Sequence, residues 1–270
     1  MLAPADGARS LVVVKLGGSL LTRKREVEKL RPKVLSRLAD ELAGTRPIPL
    51  IVLHGAGSFG HPSAARFGLA RAPDAPTDQR ARGAAIVSAE VRRLHLAVLR
   101  RMVDAGANPW SVPAAGLARN REGRLAELDL RPFSAALERG RTPGSFGDVV
   151  PDESWGVSIL SADTIAVELA RRLRARRVVF AADVPGLMEG PTGGRRAVVA
   201  EVTEASVAAL EPTAGAPDVT GGIRAKLQAM LAIAREGADA ALISGLTGGA
   251  VSRVVRGESV YGSWAHARAP

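Results

Sequence analysis

The chain contains no cysteine, which removes disulfides and thiolate metal sites from consideration. Aromatic residues make up only 3% of its 270 positions, so the stacking platforms used to grip single-stranded nucleic acid are scarce. No apolar run approaches the roughly eighteen residues of a membrane span. The stretch Met1 to Arg9 lacks the basic-then-apolar pattern of a secretory signal. These absences lead us to expect a cytoplasmic protein with no membrane partner. Lysine is also rare: five of the 37 basic residues are lysine and the other 32 are arginine. The net charge of +10 and a pI near 11.1 invite a nucleic-acid reading. The arginines are scattered along helical stretches such as Arg92-Arg93 and Arg171-Arg172. We read them as a solvated surface and expect no nucleic-acid partner.

Scarcity makes the lysines informative. A compact ammonium kept in an arginine-preferring chain points to a site such as a phosphate. Lys15 and Lys226 lie beside glycine pairs, whereas Lys29 and Lys33 read as helix-surface residues.

What is present is a repeated strand-and-helix pattern. Leu11 to Val14, Ile48 to Leu53, Val178 to Ala182 and Ala240 to Ile243 are short apolar runs of the kind found in central parallel strands. Between them, Glu26 to Leu42 carries apolar residues at helical spacing, beginning with Val27 and Leu30. A longer helix is predicted from about Asp78 to Ala105, with Val87, Val91, Leu94 and Val98 on its inner stripe. Small residues on that helix, Ala81, Ala84, Ala85 and Ser88, can shape a ligand pocket. The proline-broken middle, residues 108 to 144, reads as short strands and one helix. Ser161-Ala162-Asp163 reads as a helix start, and Gly190 to Gly194 as a turn. Strands alternating with helices describe an α/β fold: a three-layer αβα sandwich with a mainly parallel central sheet. We divide it softly into lobes at 1–174 and 175–270 that share one sheet, with ligands at the carboxyl ends of the strands.

Glycine clusters at those ends. His54-Gly55-Ala56-Gly57-Ser58-Phe59-Gly60-His61 follows a buried strand and exposes backbone N–H groups suited to an anion. Lys15-Leu16-Gly17-Gly18-Ser19 fits neither the Walker A nor the dinucleotide spacing. It has a plain reading as a strand-to-helix turn and a functional one as a phosphate cradle. Thr220-Gly221-Gly222 before a helix bearing Lys226 is either a simple cap or a second anion site. Asp148 and Asp163 are either turn residues or groups that orient lysines and hold a nucleotide or metal, and His61 taken alone is more commonly a cap. Four glycine-plus-charge sites at strand ends share one natural explanation, phosphoryl transfer.

These motifs, in this order, resemble the amino acid kinase superfamily, and within it the isopentenyl phosphate kinases. The marks are Lys15 to Ser19 with Lys24 beyond, Gly55 to His61, Gly147-Asp148-Val149-Val150, Ser161 to Asp163, Asp183-Val184 with Gly186, and Thr220 to Gly222 with Lys226. The glycine loop ending in histidine is the narrowest of them, and it is shared with the fosfomycin-resistance kinase. The resemblance implies transfer of the ATP γ-phosphoryl group to isopentenyl phosphate, with magnesium, in a homodimer. It assigns His61 to the acceptor phosphate, together with Gly55, Gly60 and Gly147. Lys15 and Lys226 would bridge the transferring group, with Lys24 in support. Gly17, Gly18, Ser19, Ala56, Asp163, Asp183 and Gly222 would line the nucleotide side, and no residue is assigned as a metal ligand. Two departures stand out: Ala56, where a second consecutive glycine is usual, and Pro185, within a segment that often reads Asp-Val-Asp-Gly. The competing readings are a kinase for a phosphonate such as fosfomycin and a non-catalytic nucleotide sensor on the same fold.

Overall fold

A computed structural model describes residues 10–73, 78–189, 196–210 and 222–267. The predicted turn at Gly190 to Gly194, and Thr220-Gly221, lie outside the described residues. A seven-stranded sheet runs in the order Gly262–Ala265, Asp239–Ser244, Arg177–Ala182, Val12–Leu16, Leu50–His54, Thr142–Phe146, Pro109–Ser111. Every neighbouring pair is parallel except the first, where Gly262–Ala265 forms an antiparallel edge. A mainly parallel sheet is what the uninterrupted apolar runs imply, because both faces of such strands are covered. Val12–Leu16 and Leu50–His54 are buried at every position.

Alternate residues feed two cores. Val13, Ile51, Val178 and Leu242 pack under the helices Ala162–Leu173 and Gly222–Arg235. Val12, Val14, Val52 and Val179 pack under Pro32–Ala43, Asp78–Asp104 and Ala250–Arg256. The three-layer αβα sandwich is therefore present. A separate four-stranded sheet, in the order Arg124–Leu128, Ala118–Arg121, Asp148–Asp152, Gly156–Leu160, projects beside it, and its last two strands form an antiparallel hairpin directly after Gly147.

One helix starts later than its periodicity predicts. Residues 26 to 31 form a loop in which Glu28 has φ 51° and Val27 is 73% exposed, and the helix begins at Pro32. Proline at the first helical position supplies a preset φ and loses no hydrogen bond, while it disfavours helical geometry at Arg31. Lys29 thus sits in this loop, off the helix. The strand Arg177–Ala182 pairs directly with Val12–Leu16, placing Leu16 beside Ala181, so one sheet runs unbroken across residue 174. Connections leave Val12–Leu16 toward one side of the sheet and later return to the other. That reversal opens a crevice at the carboxyl end of this strand.

Candidate functional site

Lys15 stands at that carboxyl end, 8% exposed, and its Nζ lies 2.8 Å from Asp163 Oδ1. Asp163 is in the first turn of Ala162–Leu173, whose start is fixed by Ser161: its hydroxyl accepts from the Thr164 amide at 3.0 Å. The other Asp163 oxygen accepts from Lys226 Nζ at 2.7 Å. Lys226 comes from the later helix Gly222–Arg235 and also lies 5.1 Å from the centre of the Phe180 ring. Burial alone would favour the neutral acid at Asp163, but the two ammonium groups outweigh it and hold the carboxyl well below the usual range. Burial, reinforced by the nearby Lys15 charge, pushes Lys226 down to about 8 against the pull of Asp163. One carboxylate thus fixes two cations that are otherwise poised to repel each other. The three residues, assigned separately from sequence, form one cluster.

The two glycine loops meet directly beside it. A Cβ on Gly18 would lie 2.3 Å from the Gly57 nitrogen, which leaves glycine as the only residue with room there. Thr22 ties the loops together: its hydroxyl donates to the Gly18 carbonyl at 2.8 Å and accepts from the Ser58 amide at 2.9 Å. On the strand side Gly17 donates to the Ala181 carbonyl at 2.7 Å.

The amides of the three glycines assigned to the acceptor are already used. Gly55 donates to Leu16, Gly60 to Gly57 and Gly147 to His54. These positions give close approach: a Cβ on Gly147 would lie 3.2 Å from the Ala162 nitrogen and 3.3 Å from the Leu160 carbonyl. Among the described residues nothing accepts from the amides of Ala56 and Gly57. Ala56 is right-handed helical (φ −70°, ψ −30°) and Gly57 left-handed (φ 53°). That succession turns consecutive N–H groups into an anion-binding concavity. Ala56 occupies a conformation open to any residue, so its departure from glycine costs the backbone nothing.

A pocket opens from Lys15, Gly18 and Asp163 past Gly55, Ala56, Gly60 and Gly147 to His61, which begins the helix His61–Arg66. Its far wall is aliphatic, made by Ala64, Val87, Val91 and Ile159. Of the small residues singled out on the long helix none is in its lining, though Ala84 is buried behind it with Ala64, Val87 and Val91. Ala81 and Ala85 are exposed, and Ser88 accepts from Arg92. Asp148 also borders the pocket, fully buried. Arg92 grips both of its carboxylate oxygens, at 3.2 and 3.1 Å. Burial raises the Asp148 pKa, with Arg92 opposing the rise. Sequence reading did not foresee the Arg92 partner, the Thr22 tie or the Val87 and Val91 wall. The valines form an apolar stripe legible in the sequence, but the pocket they face depends on a hairpin distant in sequence.

On the other side of Lys15, Asp183 follows the strand Arg177–Ala182. It accepts from the Ser19 hydroxyl at 2.7 Å and pairs with Lys24 at 3.2 Å. Burial opposes its charge, but the Ser19 hydrogen bond and Lys24 together lower its pKa. Lys24 is 68% exposed and reaches Asp183 rather than Asp163. Pro185 lies in the bend that follows, and Gly186 is packed so closely that a Cβ would lie 2.6 Å from Ser263 Oγ. Gly222 has φ 57° at the start of the Lys226 helix. Among the described residues no three His, Asp or Glu side chains gather as metal ligands, and Asp163 is held by two ammonium groups. These side chains do not form a cage for a divalent cation.

Comparison with known proteins supplies an independent finding. The amino acid kinase family matches residues 10–244. The chain is 31% identical to isopentenyl phosphate kinase of Methanothermobacter thermautotrophicus, over 94% of this chain and 98% of that one. It is 34% identical to isopentenyl phosphate kinase of Haloferax volcanii, over 83% and 88% of the respective chains. Its shape is similar to a solved isopentenyl phosphate kinase with a TM-score of 0.82 at 26% identity, covering 94% of this chain and 99% of the other.

Proposed function

The chain belongs to the amino acid kinase family and, within it, to the isopentenyl phosphate kinases, and from that premise we propose the following reaction. ATP gives its γ-phosphoryl group to isopentenyl phosphate, yielding isopentenyl diphosphate and ADP. The observation that carries this reading is the buried Lys15–Asp163–Lys226 cluster at the mouth of a pocket with a histidine at its rim and an aliphatic far wall.

The chemistry follows from charge. An oxygen of the acceptor phosphate attacks the γ-phosphorus, and the bond from that phosphorus to the β–γ bridging oxygen breaks, leaving with ADP. The acceptor is already an anion, so no strong general base is needed. The obstacle is repulsion: two unit charges about 4 Å apart cost about 4 kcal/mol at an effective dielectric near 20. Lys15 and Lys226 offset it by neutralising the group in transit. His61 donates a hydrogen bond to the acceptor phosphate, and Gly55, Gly60 and Gly147 let it approach. Ala64, Val87, Val91 and Ile159 cover the five-carbon tail.

Gly17, Gly18, Ser19, Ala56 and Gly222 flank the nucleotide phosphates. Asp183, with Lys24, borders the same side. No carboxylate cage among the described residues would hold a divalent cation, so magnesium bound with the nucleotide would be held by phosphate and water oxygens and would supply charge neutralisation. On this division residues 1–174 supply the acceptor half and share the donor half, to which residues 175–270 add Asp183, Gly222 and Lys226. No helix among the described residues is long and apolar enough to cross a membrane. We place the enzyme in the cytoplasm as a homodimer. Phosphorus NMR of the protein with ATP and isopentenyl phosphate tests the reaction. The monophosphate signal gives way to a coupled diphosphate pair as ADP forms, whereas ADP accompanied by free inorganic phosphate contradicts it.

A further inference from the structure

One buried group near the pocket has no part in the chemistry above. His54 ends the strand Leu50–His54, 1% exposed, in a run that is otherwise wholly apolar. Its Nδ1 lies 3.1 Å from the Gly55 carbonyl oxygen, and its Nε2 lies 3.0 Å from Nδ1 of the buried His95. His95 Nε2 in turn lies 3.0 Å from the Ser111 hydroxyl. Phe146 packs against both imidazoles, with ring centres 5.4 and 4.4 Å away. Burial pushes the two imidazoles down to about 4 and about 3, so each is neutral and carries a single proton.

The proton positions then follow from one fact. A carbonyl only accepts, so His54 Nδ1 bears the hydrogen. Its Nε2 is left as an acceptor and requires the hydrogen of His95 Nδ1. His95 Nε2 accepts in turn from the Ser111 hydroxyl. The chain of donors runs one way, from Ser111 to Gly55. The main-chain carbonyl of His54 also accepts from the Gly147 amide at 3.1 Å. A single residue therefore holds one glycine from each of the two loops that border the pocket.

The Gly55 carbonyl shares a planar trans peptide with the Ala56 amide, and the two point in opposite directions. Fixing one fixes the other. We propose that His54, held by His95 and Ser111, is a positioning residue: it pins the Gly55 carbonyl and so aims the unpaired Ala56 amide into the concavity that receives the transferring phosphate. This rests on the phosphoryl-transfer reading of the same site.

Substitutions at His54 separate positioning from packing. In His54→Asn the amide nitrogen replaces Nδ1 and still donates to Gly55. In His54→Gln it replaces Nε2 and faces His95 instead. With ATP and isopentenyl phosphate, H54Q is expected to lose on the order of a hundredfold in kcat, the cost of a misaimed group. Its KM for isopentenyl phosphate should move less than about threefold, because the acceptor contacts of His61 remain. H54N is expected to retain kcat within about tenfold of wild type, a partial rescue tied to the donor alone. Equal losses in both variants would reduce His54 to packing, and wild-type kcat in H54Q would also overturn the proposal.

Nitrogen NMR of histidine-labelled wild-type protein adds a readout that needs neither variant to fold. The chain has four histidines. His54 and His95 are expected in the Nδ1–H tautomer, the minor form of free histidine. An Nε2–H tautomer at His54 would overturn the proposal. Neither tautomer result depends on the acceptor, so a wild-type protein inactive toward isopentenyl phosphate would count against the proposed reaction and leave this test standing.

Discussion

Lys226 ties the electrostatics of the site to a measurable proton. With the lysine at about 8 in the free protein, it is almost fully charged at pH 6.5, half charged at pH 8 and about one-tenth charged at pH 9. A nucleotide brings negative charge beside it. One such charge about 4 Å away favours the ammonium by about 4 kcal/mol at an effective dielectric near 20. That is enough to return the group to its ordinary range near 10.5. Binding should then take up almost no proton at pH 6.5, about half a proton at pH 8 and about nine-tenths at pH 9. Affinity should fall by up to about tenfold per pH unit above 8, because the protein must acquire a proton it no longer holds.

The assay is titration calorimetry with a non-transferring ATP analogue, in two buffers of different ionisation heat, without acceptor. Lys226→Arg provides the baseline, since a guanidinium stays charged throughout. If wild type and K226R take up the same number of protons at pH 9, the reasoning about Lys226 fails. The sign for folding is separate. Between pH 8 and 10.5 the unfolded chain binds more protons than the native one at this lysine, so its contribution to stability rises through that window.

Lys15→Ala and His61→Ala should each lower kcat/KM by about a hundredfold or more, the scale for removing one group that stabilises transition-state charge. Circular dichroism should show both variants still folded. In Gly18→Ala the new Cβ would lie 2.3 Å from the Gly57 nitrogen. The two loops must part, and a urea melt should show a loss of about 1–3 kcal/mol with turnover falling alongside. Ala56→Gly should keep turnover while losing about 0.5–1 kcal/mol of stability, chiefly through unfolded-chain entropy, with the lost packing of a partly buried methyl beside it. A large activity change there would show that the Ala56 methyl does more than fill space. Asp163 contributes stability above the ordinary carboxylate value of 3.8, and that contribution is lost as pH falls through its lowered native pKa. Lys15→Ala should therefore bring acid unfolding to a higher pH.

Much of this arrangement was legible in the residues. Continuous apolar runs such as Val12 to Val14 marked buried parallel strands, and glycine with charge at their ends marked where ligands sit. Ser161 signalled its helix start because capping is local chemistry. What sequence did not reveal depends on where distant segments meet. The helix expected from Glu26 begins at Pro32, because a spacing pattern says nothing of the left-handed turn at Glu28. The glycines assigned to hold the acceptor turned out to have their amides paired, whereas among the described residues nothing accepts from the Ala56 and Gly57 amides of the same loop. Hydrogen-bond partners across a sheet cannot be read from a loop alone. Lys15, Asp163 and Lys226 were each visible as residues worth noticing. That one carboxylate bridges both lysines became apparent only once the sheet brought them together.

The account rests most heavily on the acceptor. ADP release measured side by side with isopentenyl phosphate, dimethylallyl phosphate and fosfomycin tests it most directly. The charged cluster and aliphatic wall predict fast turnover with isopentenyl phosphate and little with fosfomycin, whose short methyl-oxirane leaves most of that wall uncovered. Preference for fosfomycin, or silence with all three, would contradict it.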